Sequence, residues 1–290
     1  MTRDISIADR IRDKRVGVCL ASGFFGFYHQ TGVLAALEEA GIKPVKLTGT
    51  SAGALTASMY AAGLSVEEIR EGLLALNRKS FWDMHWPITR LGFGLLAGHR
   101  FRSELAHVLP VHSFEECNLP LSVGIYDLED GRVKHLSSGP LIPAVYASCA
   151  YPYLFTPAEL DGHRCWDGGF GEKCPLVPFL DEPEVDVVIV SYMPKHKKPP
   201  KKRTGILTFL PPAASIFAYI PLEERLERDV TSVRLLREAG KEVLVMSPER
   251  VWLGPFTMDK GRDAYDQART GTLRILESKD DSVLGCELLE

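Results

Sequence analysis

The sequence predicts an α/β fold with a mostly parallel central sheet flanked by helices, and three observations predict it. Short apolar runs alternate with helical patterns along most of the chain. The run Val185 to Tyr192 is apolar almost without alternation, as in a strand covered on both faces. Glycines stand where several of these runs stop, at Gly23, Gly41, Gly49 and Gly63. With 290 residues, 45% of them hydrophobic and 25% charged, the chain is long enough to bury a sizeable core. No internal repeat divides it, and we read residues 1–290 as one α/β domain.

The elements follow in order. Val16 to Leu20 reads as a buried strand running into the turn Ala21-Ser22-Gly23. Tyr28 to Ala40 has helical spacing in Val33, Leu34 and Leu37, and Gly41 closes it. Pro44 and Val45 to Leu47 begin a second strand that breaks at Gly49. Ala52 to Ala62 is a small-residue helix stopped by Gly63, and Ser65 to Glu68 has the form of a capping box for the next helix. Phe81 to Phe101, rich in aromatics, Gly and His, lacks a period and is expected to be an irregular insertion. Strands are expected at Leu121–Tyr126 and Val133–Leu136, joined by the turn Glu129-Asp130-Gly131. A helix is expected over Pro143 to Ala150, and Val185 to Tyr192 forms the next strand. After a basic, proline-broken loop (194–203) come an amphipathic helix over Leu222–Ala239, the strand Glu242–Met246 and a last helix from Lys260 to Leu276.

Composition narrows the function classes. A formal net charge of -4 provides no global positive field for nucleic acid. The six cysteines form no CxxC pair and read as reduced thiols. The N-terminal stretch carries charges where a signal peptide needs an apolar run, and no apolar run reaches about 18 residues. We therefore expect a cytoplasmic protein, with peripheral contact at a membrane surface left open.

The chemistry-bearing pattern is Gly49-Thr50-Ser51-Ala52-Gly53, between a strand and a small-residue helix. A nucleophile there projects from a tight turn, the glycines Gly49 and Gly53 relieve crowding, and the helix N-terminus favours negative charge at Ser51. A serine hydroxyl needs a base. The one histidine after Asp167 is His196, inside the lysine-rich loop, which argues against a Ser-Asp-His triad. A carboxylate acting directly on Ser51 is the economical alternative. Asp167, in Trp166-Asp167-Gly168-Gly169, is the candidate, because two following glycines let the backbone turn closely. Its ordinary pKa makes it a weak base, so the site should desolvate it. The turn Gly23-Phe24-Phe25-Gly26 can offer main-chain N–H groups to an oxyanion. Taken singly, the last two motifs are also ordinary turns.

Together these residues resemble the patatin-like phospholipase family. The resemblance is carried by Ala21 to Gly26, the elbow Gly49 to Gly53, the segment Ala147 to Pro157 (ASCAYPYLFTP), the hairpin from Asp161, and Asp167-Gly168-Gly169, all in the family's order over about residues 16–180. It implies a three-layer α/β/α fold and a Ser-Asp dyad, with Ser51 as nucleophile and Asp167 as general base. It also implies an oxyanion hole on Gly23, Phe24, Phe25 and Gly26, no metal or organic cofactor, and a lipid or ester substrate. The expected activity is lipolytic acyl-ester hydrolysis of the phospholipase A, lysophospholipase or esterase type, through an acyl-Ser51 intermediate. Acyl transfer by the same dyad and catalytically silent lipid binding are the alternatives.

One departure stands out. The family often places Arg or Lys after the glycines of the oxyanion loop, whereas here Phe24 and Phe25 make that mouth apolar and no basic residue follows. Other features carry less weight. His29 reads as a packing histidine, and residues 81–101 and 205–221 are candidates for a lid. The basic loop over 195–203 is a candidate for anionic headgroups.

Overall fold

The computed structural model describes residues 5–76, 78–81, 83, 94–193 and 222–285. A short helix α1 (Ile7–Ile11) precedes strand β1 (Val16–Leu20), helix α2 (Phe27–Glu39), strand β2 (Pro44–Thr50) and helix α3 (Ala52–Ala61). Helix α4 (Val66–Ala75) starts at the capping box read from the sequence: Ser65 Oγ accepts the Glu68 N–H and Glu68 returns the bond to the Ser65 N–H. Then come α5 (Arg78–Phe81), β3 (Gly94–Leu96), α6 (His99–Val108), β4 (Leu121–Asp127), β5 (Arg132–Leu136), α7 (Leu141–Cys149), β6 (Tyr153–Phe155), β7 (Ala158–Leu160) and β8 (His163–Asp167). Strand β9 (Val187–Ser191), helix α8 (Leu222–Glu238), strand β10 (Glu242–Met246) and helix α9 (Gly261–Glu277) complete the chain.

The main sheet runs β10–β9–β1–β2–β4–β8–β7, with β5 on the other edge of β4. The first five strands of that path are parallel; β8 and β5 are antiparallel to β4, and β7 is antiparallel to β8. Side chains alternate between two apolar layers, as a period of two requires. Val16, Val18 and Leu20 pack with residues of α2, α3 and α9, while Cys19, Val188 and Val190 pack with Val233 and Leu236 of α8 and with Phe179. This double burial is why β1 and β9 read as continuous apolar runs.

Two consequences of register position the site. Leu20 pairs with Gly49 and Ser191, Met246 pairs with Ser191, and Thr50 pairs with Gly124. The parallel strands therefore end together, so the segments after β1, β2, β9 and β10 leave from one end of the sheet, where open α/β sheets hold their ligands. The second consequence concerns β4. Because β5 occupies one edge over Val123–Asp127, β2 (at Leu121–Gly124) and β8 (at Ile125–Asp127) share the other. They run in opposite senses, so their C-termini, Thr50 and Asp167, meet at the Gly124–Ile125 step.

Two expectations differ from what is found. Within 81–101, the described residues include β3 and the start of α6, which continues to Val108. On α6 only Phe101 and Leu105 are buried among charged neighbours, so its apolar face was too sparse to announce a helix. Helix α1 was hidden in the same way: Ile7, Ala8 and Ile11 face the core from a segment read only for its charges. Trp82, Trp86, residues 194–221 (with His196 and the basic loop) and Cys286 lie outside the described residues. The five described cysteines are free, and no described helix is long and apolar enough to cross a membrane.

Candidate active site

Ser51 stands between β2 and α3 with φ 57° and ψ -122°, a left-handed conformation that an L residue adopts only under constraint. Its flanking glycines supply the constraint. A Cβ on Gly53 would lie 1.9 Å from the Leu20 carbonyl oxygen, and one on Gly49 would lie 2.5 Å from the Gly53 oxygen. The elbow thus folds onto β1 and onto itself more closely than any side chain permits.

The C-terminal turn of α7 fastens the elbow from the other side. The Ser51 N–H donates to Ser148 Oγ at 2.8 Å, the Ser148 hydroxyl donates to the Gly124 carbonyl at 2.7 Å, and Cys149 Sγ lies 3.2 Å from the Ser51 carbonyl. In the sequence Ser148 and Cys149 fall within the segment Ala147 to Pro157 that resembles the family. Nothing in their spacing assigned them this contact.

Asp167 ends β8 at the same step of β4. Its N–H donates to the Ala150 carbonyl at 3.0 Å, and Oδ1 accepts the Gly169 N–H at 2.8 Å. Gly168 is required here, since a Cβ would meet the Gly124 oxygen at 2.4 Å. Asp167 is 2% exposed. Burial raises its pKa from the ordinary 3.8 to about 7, although the Ser51 hydroxyl, the Gly169 N–H and the nearby Arg225 all pull it down. A carboxylate that titrates near neutral pH is matched to proton transfer.

Ser51 and Asp167 line one cavity of about 400 Å³. The segment after β1 forms part of its wall. There the Ser22 N–H donates to Lys173 O and the Gly26 N–H to Gly23 O, both at 2.8 Å, and Phe25 is held at φ 52°. The Gly26 N–H is thereby engaged inside the turn, so Gly23, Phe24 and Phe25 remain the turn's candidate oxyanion donors. Met193, just after β9, packs so closely that a Cβ on Gly23 or Gly26 would meet its Cε at 2.3 or 2.5 Å. Apolar rings continue the wall, with Phe25 6.2 Å from Phe81, Phe81 5.1 Å from Phe101, and Phe101 5.9 Å from Phe155 between centroids.

Sequence reasoning missed the polar residues that reach this cavity from the C-terminal half: Lys173, Tyr192, Arg225, Asp229 and Arg250. They follow β8, β9 and β10 or sit on α8, and only the strand register brings them to the cavity that holds Ser51. His29, by contrast, is buried behind the loop and does not line the cavity. Burial first, then the charges of Arg250 and Lys173, lower its pKa to about 3, so its ring stays neutral. Asp127, Glu129 and His163 converge elsewhere, but Asp127 Oδ2 bonds Lys134 Nζ at 2.6 Å and Glu129 bonds Arg164 at 2.8 Å, which makes the group an ion-pair network.

The sequence profile described as patatin-like phospholipase matches residues 18–180. An uncharacterised NTE family protein of Mycobacterium tuberculosis is 29% identical over 164 residues, 57% of this chain and 45% of that protein. Lysophospholipase nte1 of Aspergillus terreus is 28% identical over 184 residues, 63% of this chain and 12% of its own length. The chain thus spans less than half the length of these curated relatives. Among solved structures, VipD from Legionella pneumophila shares the fold, with a TM-score of 0.58 at 15% identity over 92% of this chain and 67% of that one.

Proposed function

The chain belongs to the patatin-like phospholipase family, and on that premise we propose that it is a lipolytic acyl-ester hydrolase with Ser51 as nucleophile and Asp167 as general base. The observation that carries this reading is the burial of Asp167 in the wall of the cavity that also holds Ser51, with its carboxyl raised to about 7.

In this mechanism the Asp167 carboxylate takes the Oγ proton as Ser51 attacks the ester carbonyl. The main-chain N–H groups of Gly23 and Phe24 hold the tetrahedral oxyanion, helped by the N-terminus of α2. Asp167 passes its proton to the departing alkoxide, and the alcohol leaves acyl-Ser51 behind. Water, giving a proton to Asp167, attacks the acyl-enzyme. Collapse releases the fatty acid and returns the proton to Ser51 Oγ. The aromatic wall suits an acyl chain, because burying each methylene contributes about 0.8 kcal/mol.

The test is hydrolysis of a lysophospholipid and of a p-nitrophenyl ester by the wild type, Ser51→Ala and Asp167→Asn. Each substitution should lower kcat by about a thousandfold or more, and Ser51→Ala should also abolish fluorophosphonate labelling. Near-normal turnover by either variant would sink the dyad. Adding glycerol as a competing alcohol separates hydrolysis, which yields free fatty acid, from acyl transfer.

A further inference from the structure

Two arginines from different elements reach the cavity beside the dyad and the oxyanion loop. Arg225, in the first turn of α8, donates Nη1 to the Gly169 carbonyl at 2.7 Å, two residues after Asp167. Arg250, in the segment after β10, donates Nη2 to the Phe24 carbonyl, and its guanidinium lies 4.4 Å from the centroid of the Trp252 ring. A guanidinium carries five N–H donors, and one carbonyl engages one of them. Among the described residues neither arginine has a carboxylate within ion-pair distance, and Arg225 Nε is buried with no hydrogen-bond partner. Burial lowers Arg250 to about 10, so it remains a charged, poorly solvated group at neutral pH.

The other carboxylate on this wall does not cancel them. Asp229 turns Oδ1 to the N–H groups of Lys173 and Cys174, and burial raises it to about 8, which leaves it mostly neutral at pH 7. Lys173 adds a third positive charge on the same wall, with Nζ on the Met193 carbonyl and 3.8 Å from the Tyr192 ring centroid. The oxyanion loop has no cation of its own sequence, and Arg250 brings one to it from some 220 residues downstream.

We propose that Arg225 and Arg250 form a phosphate-binding subsite next to Ser51, which selects phosphate-bearing glycerolipids over neutral acylglycerols of the same chain. The proposal rests on the hydrolase reading and specifies the substrate class of that site. Guanidinium groups match phosphate oxygens in pairs of parallel hydrogen bonds. In a lysophospholipid only the glycerol carbons separate the ester from the phosphate, so a carbonyl held at Ser51 leaves the phosphate within reach of groups anchored on Gly169 and Phe24.

The experiment compares 1-oleoyl-lysophosphatidylglycerol with 1-oleoylglycerol in mixed micelles, using the full chain. The wild type should favour the phosphate lipid by about tenfold or more in kcat/KM. In Arg225→Gln, Arg250→Gln and the double variant that ratio should fall by about tenfold to a hundredfold. Arg250→Lys should recover part of it, which guards against a folding defect in the glutamine variants. A second readout is calorimetric binding of the same two lipids to Ser51→Ala, with and without the arginine substitutions. If no ester is turned over but this binding remains phosphate- and arginine-dependent, the hydrolase reading fails and the subsite stands. Inorganic phosphate separates the sources: binding as tight as that of the lipid makes the ligand free phosphate, and weaker binding makes it the headgroup. An unchanged lipid ratio in the folded double variant, or equal binding of both lipids to Ser51→Ala, overturns the proposal.

Discussion

The Ser148 hydroxyl bridges the Ser51 N–H, at 2.8 Å, and the Gly124 carbonyl, at 2.7 Å, tying the strained residue of the elbow to the strand where β2 and β8 meet. Both bonded groups belong to the main chain and Ser148 is fully buried, so neither group has water as a substitute. Ser148→Ala should therefore destabilise the fold by about 1–3 kcal/mol. It should also lower kcat by about tenfold, since in the proposed mechanism a misplaced Ser51 acts on the chemical step. KM should stay close to the wild-type value, because Ser148 does not line the cavity. Steady-state kinetics and urea unfolding check both parts, and an unchanged kcat in a destabilised variant would make Ser148 structural only.

The buried Asp167 predicts the pH profile of activity. In the proposed mechanism Asp167 must be ionised to accept the Oγ proton, and its pKa is raised to about 7. Hence kcat/KM should rise with pH, reach half its plateau near pH 7, and stay level just above. A half-point near pH 4 would mean that the carboxylate titrates as if in water, contrary to its burial.

The same shift makes a statement about stability. Between pH 3.8 and about 7 the folded protein keeps a proton on Asp167 that the unfolded chain releases. Stability from this group is therefore greatest in acid, falls as pH rises through that window and is flat above it. Asp167→Asn cannot lose the proton, so it should gain on the order of 2–4 kcal/mol relative to wild type at pH 8 and much less at pH 4.5. Asp229, shifted in the same direction, is present in both proteins and cancels in the difference. Urea unfolding at the two pH values measures it; an equal effect at both would mean that Asp167 is not desolvated.

What the sequence made legible follows from where the signals are local. The elbow around Ser51 is a strand, a turn and a helix within a dozen residues, and its glycines are demanded by space, since a Cβ added at Gly53 would lie 1.9 Å from Leu20 O. Gly168 next to Asp167 is local in the same sense. The turn at Gly23 was readable as a tight turn, although Phe25 takes a positive φ that composition does not announce. The polar residues from the C-terminal half were not readable. Arg225 and Arg250 lie on an ordinary charged helix and in a loop, and they reach the cavity that holds Ser51 only because β9 and β10 pair beyond β1 with their C-termini level. Strand order is a property of the whole sheet, which no window of sequence displays. Helix α6 escaped because two buried side chains, Phe101 and Leu105, are too few to set a period.

The aromatic wall makes a last prediction, about acyl-chain length. Leu154 lines the cavity with Phe101 and Phe155 and is only partly buried, so a larger side chain there can take up cavity space without replacing a core residue. Each methylene that enters the cavity should raise kcat/KM roughly fourfold until the space is filled. In Leu154→Trp that rise should stop at a chain shorter by about two or more methylenes, which lowers the ratio of oleoyl to butyryl ester hydrolysis by about tenfold or more. A general loss of folded protein scales both esters alike, so the ratio isolates the cavity. Should the ratio hold while the variant still turns over butyryl ester, the acyl chain does not lie against Leu154 and must leave the Ser51 carbonyl in another direction.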